Sequence, residues 1–566
     1  MSEPPSSTHW QTPVHGTALL AWFCIGIAVG ICPLAAQPTG QTPRPAQARI
    51  FNVKNYGATG QKADDARLPF QKAIDACGST GGGVVLVPPG QYTSGTLHLR
   101  SHVRFQVEAG ATLYASPDPK VYDCGTVVSK AALICGENLE DISFGGRGIV
   151  DGQAQYEWTD DDFERAFDHK TLMQSMGKSL LRSVPKDFPK REVYPHLIWL
   201  GRCKDVRITD LNFLHSPSWS ITLYACERAT FDRLYIYTSL KEAVWADGID
   251  LDGCRQVSIA NCAIETGDDC VALVSQNTWG QALSCRDITL TNCRFSSASA
   301  GVKFSEGNRA GISHIRVSDC LFNHVNRGFV LNNTLGGTVS DVVLSNLTIE
   351  CDRFDWFWAG DGQPFRFRIT RLSELNQEPA KPDEQPPGSI RNITIRNVVA
   401  HGKGSSLFHG HPESWLEGIT LENVKLFVSA DPTAPFDKAE NALDFRRARD
   451  IALRNVEVYW ETPGLATWKS ALYLEDVSVL ELDGFVGRQA WLQAVAPAIA
   501  LNQVTGAVFR NCRALEGANV FLKVTGARTW GIRLDRNHLE KATVPCQLGP
   551  EVAPGAVKGL DPSSRK

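Results

Sequence analysis

The stretch Cys285–Phe295, "CRDITLTNCRF", alternates apolar and polar residues, places Asn292 after the first run, and then alternates again. The pattern recurs in "CKDVRITDLNF" (Cys203–Phe213), "CERATFDRLYI" (Cys226–Ile236), "CRQVSIANCAI" (Cys254–Ile264), "ISHIRVSDCLF" (Ile312–Phe322) and "VSDVVLSNLTI" (Val339–Ile349). It returns at Ile390–Ala400, Leu416–Leu426 and Ala448–Val458. Strand openings at Val257, Ile288, Ile315 and Val342 lie 31, 27 and 27 residues apart. Period-two alternation means strands with one face inward. An Asn or Asp between two such runs marks a tight turn, because its side chain bonds nearby backbone. A repeat of this length with short strands and no helix is one coil of a parallel β-helix. The leucine spacing of leucine-rich repeats is missing, and a propeller blade needs longer antiparallel strands. One step, Val342 to Ile393, is 51 residues, close to two periods, and holds the insertion that starts at "RFDWFWAGDGQPFRF", which reads as a loop. The expected fold is all-β: a right-handed single-stranded parallel β-helix over residues 49–550. "DARLPFQKAIDACG" has helical spacing ending at Gly78, and a helix there would cap the open end of the stack. Gly81, Gly82 and Gly83 are followed by a strand and no Lys-Ser/Thr, so they form a turn and not a phosphate loop.

A chain of 566 residues exceeds a single compact core, a limit that repeat folds escape by growing along one axis. A net charge of −4 excludes a general nucleic-acid binder. Gly is abundant at 48 and Met scarce at 3, as suits a turn-rich β protein. Residues 1–36 run from polar to apolar to "PLAA", which predicts an export signal cleaved after Ala36 and a periplasmic or extracellular protein. The alternative is a retained membrane anchor; no later stretch could span a bilayer. Residues 37–48 read as a linker and 551–566 as a disordered tail. A monomer is expected. The 16 cysteines include Cys254, Cys262, Cys285, Cys293 and Cys320 beside strand-like runs, where buried unpaired thiols fit as well as disulfides. No CxxC occurs, so no zinc cluster is expected.

The chemistry concentrates in "WADGIDLDGCRQVSIANCAIETGDDC", Trp245–Cys270, with Asp247, Asp250, Asp252, Glu265, Asp268 and Asp269. Such a cluster can hold a metal, decorate a loop, or supply the carboxylates of a hydrolytic site. Asp247 and Asp268 are 21 residues apart, which places them on neighbouring coils ~4.8 Å apart. Carboxylates on one face could then bracket a sugar, an acid and a base separated by ~6.5–9.5 Å with water between them. Crowding raises the pKa of one of them and keeps it protonated near neutrality. Asp250 and Asp252 fit strand or turn positions, and Glu265 a solvated one.

From "FNVKNYGATG" at Phe51 to about residue 460, the chain resembles the polygalacturonase-type enzymes of glycoside hydrolase family 28. The resemblance rests on "VVLVPPGQYTSGTLHLRSHVRFQVEAGATLYAS", "HSPSWSITL", and the pair "WADGID" and "TGDDC", similar to the family's NTDG and GDD. It implies an inverting hydrolase of pectic bonds, of galacturonan or rhamnogalacturonan type, without a cofactor. Asp268 would be the general acid, and Asp247 and Asp269 would orient and deprotonate water. Two departures concern substrate handling. Ala300 stands where the family carries a histidine, and Val330 and Asn332 stand where its Arg and Lys grip a uronate. Lys303, Glu306 and Arg327 are candidate substitutes. Trp245, Trp279, Trp356, Phe357, Trp358, Phe365 and Trp415 could face sugars or simply pack. His409 and His411 lack a third ligand and predict no metal site. Two other readings stay open: a Ca²⁺-dependent polysaccharide lyase, and a non-catalytic carbohydrate-binding β-helix.

Overall fold

The computed structural model describes residues 49–124, 131–154, 195–276, 280–354 and 360–559, apart from 242, 244, 305, 377, 434, 435 and 437. The expected signal at 1–36, the linker at 37–48, and Trp279, Trp356, Phe357 and Trp358 lie outside these residues. Every strand pairing between named strands is parallel, and each strand pairs with its counterpart one coil away. Ile249–Asp252, Arg255–Ala260 and Ala263–Thr266 of one coil lie against Val271–Val274, Cys285–Thr291 and Arg294–Phe304 of the next. The molecule is a right-handed parallel β-helix.

Two corners repeat in every coil, and the repeat sequence explains both. Asp287, His314, Asp341 and Asn392 occupy one corner with φ of 55–58°, and Asn292, Asp319, Asn346, Asn397, Asn423 and Asn455 occupy the other with φ of 51–57°. Asn and Asp tolerate this left-handed conformation better than other side chains. At the second corner the amides also bond along the axis: Asn397 donates to Asn346 at 3.0 Å, Asn423 to Asn397 at 3.1 Å and Asn455 to Asn423 at 3.0 Å. Between the corners the alternation fills the interior with apolar side chains. Phe295, Phe322, Phe329, Phe365, Phe408 and Phe445 form a buried column, with the rings of Phe408 and Phe445 stacked at 4.5 Å. All 14 described cysteines are buried and unpaired.

The helix α1, Arg67–Ser79, sets Phe70, Ala73, Ile74 and Cys77 against the first coil, where the Phe70 ring meets Tyr92 at 5.3 Å. This is the expected cap. Two expectations change. The 51-residue step is one coil and not two, because Val342 pairs directly with Ile393. Within it, "QPFRFRI" is a strand of the main stack and not a loop. The tail expected from 551 is ordered through Val557–Lys558, which pairs with Ile532–Arg533. Among the described residues no helix is long and apolar enough to cross a membrane.

Candidate active site

One sheet of the stack carries the site. Its strands are β1 (Ile221–Tyr224), β2 (Ile249–Asp252), β3 (Val271–Val274), β4 (Arg294–Phe304), β5 (Leu321–Asn333), β6 (Gln363–Ile369), β7 (Ser406–His409) and β8 (Leu443–Trp460). Asp247 lies just before β2, and Asp268 and Asp269 just before β3. The ladder continues through them: Ser220 N–H donates to the Asp247 carbonyl at 2.8 Å, and Gly248 N–H to the Asp269 carbonyl at 2.9 Å. The glycines of both motifs are needed for this closeness. A Cβ on Gly248 would sit 2.4 Å from the Cys270 carbonyl, and one on Gly267 2.4 Å from the Ala243 carbonyl.

The three aspartates are buried together, each offering one oxygen within 4.8 Å of the others. That is tighter than the spacing expected for an acid and base bracketing a sugar. Asp247 Oδ1 accepts the Asp269 N–H at 2.7 Å. Asp269 is held at both oxygens, by Ser299 Oγ at 2.7 Å and by Lys303 Nζ at 3.0 Å. Asp268 is fixed through its backbone carbonyl, which accepts from Thr266 Oγ1 at 2.8 Å and Ser297 Oγ at 2.6 Å. Its buried Oδ1 has no hydrogen-bond partner among the described residues. Burial, and then the charge of Asp269, push the Asp268 carboxyl up to about 8. Burial and the neighbouring Asp268 and Asp250 raise Asp247 well above the ordinary carboxylate range.

Asp250 and Asp252 alternate with the inward Ile249 and Leu251, as expected, but both are buried, and Asp250 acts on Asp247. Burial raises Asp252 to about 7. Glu265 is half-buried, in register with Tyr237 and Ser296.

Lys303 joins Asp269 to Glu306, its Nζ being 3.6 Å from Glu306 Oε2. Burial favours the neutral Glu306, yet Lys303, a backbone hydrogen bond, Asn332 and Arg366 together outweigh it and hold the carboxyl below its ordinary value. Arg327 lies one coil on, in register with Ala300. Burial and the adjacent Arg366 lower it to about 10. Val330 and Asn332 are buried and uncharged, so no cation stands at those two places.

Sequence reasoning missed Ser299, Arg366 and Arg368. The signal for the arginines was present in "PFRFRI", whose alternation sends Phe365, Phe367 and Ile369 inward and the arginines outward. His409 and His411 have separate carboxylate partners: His409 Nε2 lies 2.9 Å from Asp444 Oδ1 and His411 Nε2 3.2 Å from Glu374 Oε1.

The acidic trio is also the one cluster among the described residues with metal-ligand spacing. It fits Ca²⁺ poorly. Ca²⁺ takes six to eight oxygens, whereas both oxygens of Asp269 are engaged and an ammonium already stands beside it.

The model of glycosyl hydrolases family 28 matches residues 77–351. A Vitis vinifera protein named "Probable polygalacturonase" is 24% identical over 453 residues, 73% of this chain and 84% of that protein. An exopolygalacturonase from Thermotoga maritima superposes with a TM-score of 0.53 at 20% identity, covering 74% of this chain and 93% of that one. The family 28 exopolygalacturonase of Yersinia enterocolitica gives 0.56 at 18% identity, covering 77% and 78%. These two share the fold. Through residues 77–351, which carry all three aspartates, the chain belongs to glycosyl hydrolases family 28 and is a glycosidase, a hydrolase of O-glycosyl bonds.

Proposed function

We propose that this glycosidase cleaves pectic polysaccharide, with Asp268 as general acid and with Asp247 and Asp269 handling the attacking water. The observation that carries the reading is the unequal treatment of three adjacent carboxyls. Asp268 is raised to about 8 and has an unpartnered Oδ1, so near neutrality it holds a proton. Asp269 is fixed by Ser299 and Lys303. The Asp268 O–H gives its proton to the glycosidic oxygen as the C–O bond breaks. Water attacks the anomeric carbon and gives a proton to Asp247 or Asp269, and proton return to Asp268 restores the enzyme. Although the trio is closer than a usual inverting pair, Asp269 has each oxygen engaged and is a poor nucleophile, which favours direct water attack and inversion over a covalent intermediate. The polygalacturonase names of the relatives support a galacturonan-type polymer, with rhamnogalacturonan as the other pectic backbone of the same reading. Lys303 and Glu306 border the trio, and Arg327 stands one coil on, in register with Ala300. Action as an exported monomer belongs to the same proposal.

Purified protein incubated with polygalacturonate and with rhamnogalacturonan should release reducing ends from one of them, without new ultraviolet absorbance and unaffected by EDTA. Early-time ¹H NMR should show the inverted anomer. Absorbing, EDTA-sensitive products would mean a lyase, and a retained anomer would move Asp269 or Asp247 into a nucleophile's role.

A further inference from the structure

The outward face of the site sheet continues past the acidic trio, and its charges change sign there. Row by row the register runs Asp250, Ala272, Lys303, Val330, Arg366 and Leu407. In the adjoining row, Asn332, Arg368 and His409 stand on successive coils. Lys303 is neutralised by Asp269 and Glu306. The pair on β6 is not. Arg366 reaches one carboxylate, Asp361 at 3.5 Å, and its buried Nε has no partner. Arg368, half-buried, has no hydrogen bond or ion pair among the described residues. Two positions apart on one strand, with Cα atoms ~7 Å from each other, the two like charges repel. Asp361, Glu306 and Glu374 act on the pair through space, yet Arg366 has a single ion pair and Arg368 none, and a half-buried guanidinium without a bonded partner destabilises a fold. A purely structural role does not account for it, whereas an arriving anion does.

We propose that Arg366 and Arg368 form a carboxylate-binding subsite that holds an acidic sugar of the substrate away from the bond being cleaved. Arginine suits the task because its fork meets a carboxylate through two parallel hydrogen bonds. Three coil steps separate β6 from β3, which follows the trio, so the subsite lies ~14 Å along the axis from it. That exceeds the width of one pyranose ring. Next to the trio, Val330 and Asn332 offer no charge. Recognition of the uronate is thereby displaced toward the C-terminal coils, onto a sugar that is not itself attacked. The inference rests on the pectic reading for its ligand class.

The test is calorimetric titration of tetragalacturonate, and separately of its methyl ester, into the full chain carrying D268N to block turnover, with and without R368M. We expect R368M to weaken tetragalacturonate by about 30-fold, as loss of one partner of a desolvated charge pair does, and to leave the ester unaffected. R368K should recover part of the loss. The urea midpoint of R368M should hold or rise, because a cation without a bonded partner has gone. Equal affinity in both chains, equal loss for acid and ester, or no binding of tetragalacturonate by the Arg368 chain would each overturn the subsite. The two readings fail separately. Absence of turnover by the wild-type chain, with acid-selective binding still dependent on Arg368, would end the proposed hydrolysis of galacturonan and keep the subsite. Turnover with acid binding indifferent to Arg368 would do the reverse.

Discussion

Removing the ammonium of Lys303 tests whether the trio works as one titrating unit. Lys303 Nζ lies 3.0 Å from Asp269 Oδ2, and its charge opposes the upward shifts of both Asp247 and Asp268. At an effective dielectric of ~20, a unit pair at that distance attracts by about 5 kcal/mol. Desolvation offsets part of this, and breaking such a pair by deleting one partner costs about 3 kcal/mol. Spread over carboxyls that share the ammonium, the loss moves their apparent pKa values up by ~1–2 units. In K303M both limbs of the kcat/KM profile against pH should therefore shift to higher pH by that amount. The acidic limb rises because the water-activating carboxylate holds its proton longer. The alkaline limb rises because Asp268 releases its own later. At neutral pH the rate should fall, and K303R, which keeps the charge, should lie near the wild type. The assay is initial-rate release of reducing ends from polygalacturonate, with urea melts to confirm folding. A folded K303M whose profile stays in place would refute the argument, since the carboxyls that react would then not feel this charge.

D268N should lower kcat by ~10²–10⁴, the usual share of a general acid. It also has a stability signature: Asp268 binds its proton up to about 8 when folded and only to ~4 when unfolded, so wild-type stability should fall as pH rises between those values. D268N, which mimics the neutral acid, should flatten that slope in urea midpoints measured across the range. S299A removes the hydroxyl that donates to the buried Asp269 Oδ1, so it should lower kcat by ~10-fold and cost ~1–3 kcal/mol in urea unfolding. N423A removes a rung that bonds on both sides and places Ala at φ 54°, so it should cost ~2–3 kcal/mol in urea unfolding without affecting KM.

The fold was legible because each coil writes its geometry locally. The alternation in "CRDITLTNCRF" fixes which side chains enter the stack, and Asn292 fixes the corner, so nine imperfect copies suffice to establish the architecture. The placing of the aspartates was legible for the same reason, since 21 residues is one coil and one coil is one rung. What the sequence does not display is length without repetition. The step from Val342 to Ile393 looks like two coils because chain length alone cannot distinguish a second turn from a long excursion. That misreading hid β6 inside a supposed loop, and with it Arg366 and Arg368. Burial of Asp250 and Asp252 was likewise hidden, because alternation sends them out of the barrel and nothing local shows that the outer face is itself covered. The mutual distance of the carboxyls depends on side-chain rotamers, which spacing along the chain does not determine.

The thiols inside the stack give the protein a property unrelated to sugars. They occur from Cys77 on the capping helix to Cys546 near the last turn, none is bridged, and burial pushes Cys77 to about 11 and Cys285 and Cys512 to about 12. A neutral, enclosed thiol does not react with alkylating reagents. Each such turn thus carries a native label that stays silent until that turn opens. Pulse alkylation followed by peptide mass mapping would record the order in which the turns unzip, with no probe added.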